Sequence, residues 1–166
     1  MKAIMISIKP KWVAKILNGE KTIEIRKTMP KCDLPIDVYI YCTKNGGWLT
    51  RWYDPKTKER GYCGYNKENN NLNGKVVAKF TLNKVEEMYY CDEEYLKPSC
   101  LNIDELFDYL KEKVGYAWHI SNLEIFDKPK ELSEFNQKWY CKGLGKDFLH
   151  PIGKAPQSWC YCESEE

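Results

Sequence analysis

The run Ile16-Leu17-Asn18-Gly19-Glu20-Lys21-Thr22-Ile23-Glu24-Ile25-Arg26-Lys27 constrains the fold more than any other stretch of the chain. Before it, Trp12, Val13, Ile16 and Leu17 recur at helical spacing, with Pro10 placed where a first helical turn tolerates proline. Asn18-Gly19 then supplies a C-terminal stop. From Thr22 the period changes to two, so Ile23 and Ile25 point one way and Thr22, Glu24 and Arg26 the other. One face suits a core and the other polar contacts. Lys21 stands at the mouth of this strand, where a long amine reaches the polar side. Taken alone, the stretch reads as a half-exposed strand carrying a surface Glu24/Arg26 pair.

Further strand signals follow on either side. Lys2 to Ile8 is a short apolar strand turned by Lys9-Pro10, and Thr28 to Pro35 is a loop. Ile36 to Thr43 alternates and is rich in β-branched and aromatic residues, which makes it the clearest strand. Gly74 to Leu82, continuing towards Val85, and Gly115 to Phe126 are two more, and Pro156 to Cys162 closes the chain. Asn102 caps a helix over Ile103–Lys111, with Glu105 at the third helical position as in a capping box. Ile103, Leu106, Phe107 and Leu110 form its apolar stripe, and the helix reads as scaffold. Glu131 to Gln137 reads as polar and partly helical, followed by a Gly/Pro-rich run. The pattern predicts an α+β chain, a small and mostly antiparallel β-barrel with two or three flanking helices. At 166 residues it is long enough for one proper core and too short for two, so residues 1–166 are expected to form a single domain.

An irregular insertion is expected at about 44–74, where Trp48, Arg51, Trp52, Tyr53, Arg60, Tyr62, Tyr65 and Lys67 interleave aromatic and basic side chains. Arg51, Trp52 and Arg60 are candidate contacts to a single-stranded nucleic acid. Asp54, Glu59 and Glu68 dilute the charge, and the competing reading, a β-hairpin that packs its own Trp and Tyr, is favoured.

Bulk charge does not decide the partner. The chain carries 26 basic and 24 acidic residues, net +2, so a phosphate-binding surface must come from local clustering. The 43% hydrophobic content excludes a disordered chain. No apolar run has the length of a membrane span, and Lys9-Pro10-Lys11 interrupts the N-terminal one, so a cytoplasmic protein without a membrane partner is expected. Eight cysteines in a lysine-rich chain of this kind are expected to be reduced thiols. Cys141, His150, Cys160 and Cys162 lack a Cys-x-x-Cys pair, so neither a metal nor any other cofactor is expected. His119, on a strand, is read as a hydrogen-bonded structural residue.

Several blocks together resemble the ASCH domain (activating signal cointegrator homology), a family with the PUA-like β-barrel. They are Ser7-Ile8-Lys9-Pro10, then Gly19-x-Lys21-x-x-Glu24-x-Arg26, which matches the family's Gly-x-Lys-x-x-Glu-x-Arg signature, then Gly74-Lys75-Val76-Val77-Ala78, Gly115-Tyr116-Ala117-Trp118-His119-Ile120 and Pro156-Gln157-Ser158-Trp159. The later blocks resemble a bacterial and phage branch. The resemblance implies a cleft beside the barrel and roles in RNA or modified-nucleoside binding. Lys9, Lys21, Thr22, Glu24, Arg26, Trp118 and Ser158 are its expected ligand-binding residues. Lys21 and Arg26 would hold phosphate or a carbonyl oxygen, Glu24 a base edge, and Trp118 or Trp12 would stack.

Some small members of the family resemble amidohydrolases that deacylate N4-acetylcytidine with a Lys, a Thr and a Glu. Here Lys21 and Arg26 match that pattern, but Glu24 stands where the Thr is needed. Thr22 lies on the same face, shifted by about 7 Å along the strand. A ribonuclease role has also been proposed for the family. The leading expectation is therefore a binding module for RNA or a modified nucleotide. The alternatives are a small hydrolase using Lys21 and Glu24, and a protein-interaction scaffold.

Overall fold

A strand buried on both faces needs neighbours on both sides, and the apolar segment after Met1 meets that requirement. In the computed structural model, which describes residues 1–64 and 72–164, β1 (Lys2–Ile8) is buried from Ala3 to Ile8. It is followed by α1 (Pro10–Leu17), β2 (Ile23–Arg26), β3 (Ile36–Cys42), β4 (Thr50–Tyr53) and β5 (Arg60–Cys63). Then come the long β6 (Val76–Met88), a four-residue α2 (Leu96–Ser99) and α3 (Ile103–Leu110). The longest strand, β7 (Gly115–Lys130), precedes β8 (Asn136–Cys141), β9 (Lys146–Pro151) and β10 (Trp159–Glu163). Of the insertion residues named above, Tyr65, Lys67 and Glu68 lie outside the described residues.

Eight strands form one sheet in the order β2-β7-β6-β3-β1-β10-β8-β9, and β4 and β5 pair separately. Pairing within the sheet is antiparallel except between β1 and β3. Alternation splits the apolar residues of β1 between two faces. Ile4, Ile6 and Ile8 join Val13 and Ile16 of α1, Val38, Ile40 and Trp118 in the main core, while Ala3 and Met5 pack with Tyr39, Phe135 and Ile152 on the opposite face. A third cluster places Ile23 and Ile25 of β2 against Leu106 and Leu110 of α3.

The barrel is loose, because β2 does not meet the other end of the sheet through strand pairing. Side chains bridge the gap instead. Arg26 Nη2 donates to the Ser7 carbonyl at 2.8 Å, and Trp159 Nε1 to Thr28 Oγ1 at 2.9 Å.

The expected elements form, with several differences. β2 is not half-exposed: Ile23, Glu24, Ile25 and Arg26 are all buried. The apolar side lies under α3, and the polar side is turned into the gap beside β1 and β10. The insertion contains the β4–β5 hairpin, with Arg51 opposite Tyr62 and Trp52 opposite Gly61. Glu131 to Gln137 holds only a 3-10 turn at Leu132–Glu134, and β8 begins at Asn136. The Gly/Pro-rich run contains β9, whose hairpin partner is β8. The stripe on α3 is narrower than expected: Leu106 and Leu110 are buried, whereas Ile103 and Phe107 are exposed.

Candidate functional site

A Schellman motif delivers Lys21 to its place. Glu20 N donates to Lys15 O and Gly19 N to Ile16 O, and Gly19 takes the left-handed φ of 77° that this C-terminal stop needs. The chain thus reverses within two residues and enters β2 with Lys21 pointing inwards, 3% exposed. Its Nζ donates to the Ser99 carbonyl at 2.7 Å and lies 3.1 Å from Glu24 Oε2. Ser99 ends α2, so its carbonyl is one that the helix itself leaves unpaired.

Glu24 sits between two cations, with Arg26 Nη2 2.9 Å from its other oxygen. Arg26 also donates through Nη1 to Ser158 Oγ at 3.2 Å, while its buried Nε has no partner among the described residues. Burial pushes the Glu24 carboxyl up, but the charges of Lys21 and Arg26 and their hydrogen bonds outweigh this and hold it below the usual carboxylate range. The three groups form a buried Lys–Glu–Arg row with the Glu24 carboxylate in the middle.

This row forms the floor of a cleft of about 540 Å³. α1 contributes Trp12, and Lys9 stands at the exposed rim just before it. α3 contributes Glu105, Asp108 and Tyr109 on another side. Glu105 ties the two helices to this arrangement. One oxygen accepts from Asn102 N at 3.0 Å in the capping box, and the other lies 3.8 Å from Lys11 Nζ. Lys11 and Lys21 both place ammonium groups near the Trp12 ring, at 4.3 and 5.3 Å from its centroid, and Lys27 lies 4.8 Å from that of Tyr109. Burial pushes the Tyr109 phenol up, so it is a neutral hydroxyl at pH 7.

The structure therefore brings Lys9, Lys21, Glu24 and Arg26 together, with Ser158 behind them as a partner of Arg26. Thr22 is exposed and outside the cleft lining; its backbone N donates to Pro98 O. Trp118 is fully buried opposite Glu24 in the β2–β7 register, its ring 5.6 Å from that of Trp159, so it packs in the core and does not face a ligand. His119 pairs with Glu86 at 2.6 Å, away from the cleft.

Arg51, Trp52 and Arg60 line a second cavity of about 960 Å³ together with Glu20, Glu59 and Asp127. Arg51 is already engaged there, donating to Phe126 O at 3.0 Å and lying over Tyr62 at 6.0 Å. Among the described residues no group of three His, Cys, Asp or Glu is placed to hold a metal ion. No helix among them is long and apolar enough to cross a membrane.

Tyr109, Glu105 and Asp108 were not anticipated at the site. The available signal was the edge of the α3 stripe: Tyr109 flanks Leu106 and Leu110, where a helix packed beside a cleft presents its boundary residues.

A loosely closed barrel with a polar cleft beside one edge strand defines a PUA-like module. The chain belongs to the ASCH domain family, whose profile matches residues 6–142; its fold is commonly associated with RNA binding. Among solved structures it is similar to an ASCH protein from Zymomonas mobilis. The two share 18% identity and a TM-score of 0.62, with 98% of this chain and 89% of that one covered. A point mutant of that protein matches with a TM-score of 0.61 at 18% identity, over 97% of this chain and 90% of that one. A second mutant gives 0.61 at 17%, over 96% and 87%. At these identities the likeness establishes the fold. A comparison with curated proteins gives no match.

Proposed function

We propose that the cleft binds one nucleotide of RNA, or a modified nucleoside, without transforming it. The observation that carries this reading is the fixed Lys21–Glu24–Arg26 row at the floor of a cleft whose sides include Trp12 and Tyr109. The volume suits a small ligand of that kind. A carboxylate has about four acceptor positions. Lys21 and Arg26 occupy part of the Glu24 set, which leaves capacity for an amino or imino group on a base edge. Lys21 keeps one N–H for a carbonyl oxygen beyond those on Ser99 and Glu24, Arg26 fixes the Glu24 carboxylate, Trp12 offers a stacking face, and Lys9 a cation for phosphate at the rim. Ser158 acts by positioning Arg26. Thr22 and Trp118 have no ligand contact in this reading, and Arg51, Trp52 and Arg60 line a separate surface of mixed charge.

The same row argues against acid–base chemistry. A general base works best with a pKa near the operating pH, and Glu24 is shifted the other way. Titration of cytidine, N4-acetylcytidine, guanosine monophosphate and a short oligoribonucleotide at low salt tests the proposal. Trp12→Ala should weaken binding about fivefold or more, because stacking contributes about 1–3 kcal/mol per base. Absence of binding by every one of these ligands, or binding indifferent to Trp12→Ala and Lys21→Ala, would overturn it. The convergence of Lys21 and Glu24 is also the one observation favouring a hydrolase. Turnover of N4-acetylcytidine or of labelled RNA that is lost in Lys21→Ala would replace the binding reading with that one.

A further inference from the structure

The β8–β9 hairpin is joined to the rest of the sheet at its root, through the pairing of Asn136 with Glu163 of β10. Beyond that point both of its faces are largely open to solvent. Five of the twelve exposed large apolar side chains among the described residues lie on it: Trp139, Tyr140, Leu144, Phe148 and Leu149. That density exceeds what a solvated ribbon needs. A single aromatic cross-strand pair contributes only about 0.2–1 kcal/mol to a sheet, and Trp139 opposite Phe148 already provides one.

The charge on the hairpin indicates what the aromatics face. Residues 136–151 hold three lysines against one aspartate, net +2, which equals the net charge of the whole chain, so everything outside the hairpin is balanced. The protein's positive excess resides here. The register also sorts the charges by face. Trp139, Phe148, Cys141, Lys146, Gln137 and His150 share one face, which has no acid, whereas Asp147 lies on the other with Tyr140. Lys142 opens the turn beside Cys141. Neither Lys142 nor Lys146 has a carboxylate within ion-pair distance among the described residues, whereas Lys138 is 3.6 Å from Glu163. An acid-free face with two neighbouring rings and unpaired cations at its end complements a polyanion with stackable bases.

We infer that this face of the hairpin is a second contact site for single-stranded nucleic acid, with bases stacking on Trp139 and Phe148 and phosphates held by Lys142 and Lys146. It shares a class of partner with the cleft but rests on different residues. Gln157 borders the cleft and Glu163 marks the hairpin root. Gln157 lies two residues before β10, and strand rise over Trp159–Glu163 alone separates the two ends of that strand by about 13 Å. A mononucleotide in the cleft therefore does not reach the hairpin, whereas a longer strand can engage either site.

The test uses the full chain and a fluorescein-labelled oligouridylate of about twelve nucleotides, a length within the about 4–16 nucleotides that an OB fold covers. Anisotropy is read across a salt series, with uridine monophosphate as the cleft-only probe. Trp139→Ala/Phe148→Ala should weaken the oligonucleotide about tenfold or more and leave uridine monophosphate unchanged. Lys142→Ala/Lys146→Ala should reduce the slope of log affinity against log salt by about 1.4, two phosphate contacts at about 0.7 each. Should the double alanine variant disturb the hairpin, Trp139→Tyr/Phe148→Tyr keeps stacking rings and should retain most of the affinity. Oligonucleotide affinity within about twofold of wild type in both the ring and the lysine variants overturns the inference. So does a sedimentation change from dimer to monomer in the ring variant with oligonucleotide affinity intact, because a second copy would then cover this face. Loss of all binding in Trp12→Ala, with the hairpin variants behaving as wild type, overturns this inference and leaves the cleft. The reverse pattern overturns the cleft reading and leaves the hairpin.

Discussion

Replacing Glu24 with Gln removes one charge and almost no volume, and the buried row predicts a large effect. The side chains of Lys21 and Arg26 are 2% and 9% exposed, and Glu24 is the carboxylate paired with both. Removing one member of a buried ion pair typically costs about 3–5 kcal/mol, because a buried charge is left without compensation. With a urea m-value of about 2 kcal/mol/M, Glu24→Gln should lower the unfolding midpoint by roughly 1.5–2.5 M.

The pH dependence gives an independent reading of the same variant. The folded-state pKa of Glu24 lies below its unfolded value. The wild type thus has a stability contribution that is fully present above about pH 4.3 and is lost as pH falls through the folded pKa. That acid-limb loss should be smaller in Glu24→Gln. Urea titrations of both proteins at pH 7 and through the acid range measure both effects. A variant within about 1 kcal/mol of wild type at pH 7, the range of exposed pairs, would refute the buried-row argument.

Three other outcomes are expected. Gly19→Ala should cost about 1–2 kcal/mol in chemical denaturation, because an L residue is strained at φ 77° although open space surrounds the new Cβ. Trp118→Ala should cost about 3–5 kcal/mol by opening a core cavity, whereas Trp12→Ala should change stability far less and act on ligand binding. Under native conditions at pH 8, iodoacetamide should modify exposed Cys91 first, while Cys42 and Cys162, whose thiols burial pushes up to about 12, should react only after unfolding, as peptide mapping would show.

Much of the fold was legible because its signals are local. The capped helix ending at Gly19, the alternation of Ile36 to Cys42 and the capping box at Asn102 each depend on a few neighbouring residues, and each forms. The burial of Glu24 and Arg26 was not legible, since period two fixes which side chains share a face but not whether that face meets water. Ser7, Ser99 and Ser158 decide that from distant elements. Trp118 was misplaced for the same reason: its register opposite Glu24 puts it in the same strand pair as the cleft residues, yet the ring packs on Trp159. The β8–β9 hairpin is not legible because neither of its faces is buried: Trp139-Tyr140 and Phe148-Leu149 put apolar side chains on both, which removes the period of two that marks a strand.

The open barrel and the cleft have one cause. Had β2 paired along its free edge with β10, a backbone ladder would fill the space where the buried row now lies, and no ligand could reach Glu24. Among the described strands β2 instead pairs only with β7, and an unpaired edge needs other partners for stability and to avoid pairing with foreign strands. Arg26 serves that need through the Ser7 carbonyl and Ser158 Oγ, with the same guanidinium that borders the cleft. Closure by a forked cation leaves gaps that closure by backbone would not, and the charge of Arg26 holds Glu24 ionised within them. Substitutions of Arg26 therefore disturb barrel and cleft together. Trp12 and Lys9, which line the cleft without bridging the barrel gap, separate recognition from folding.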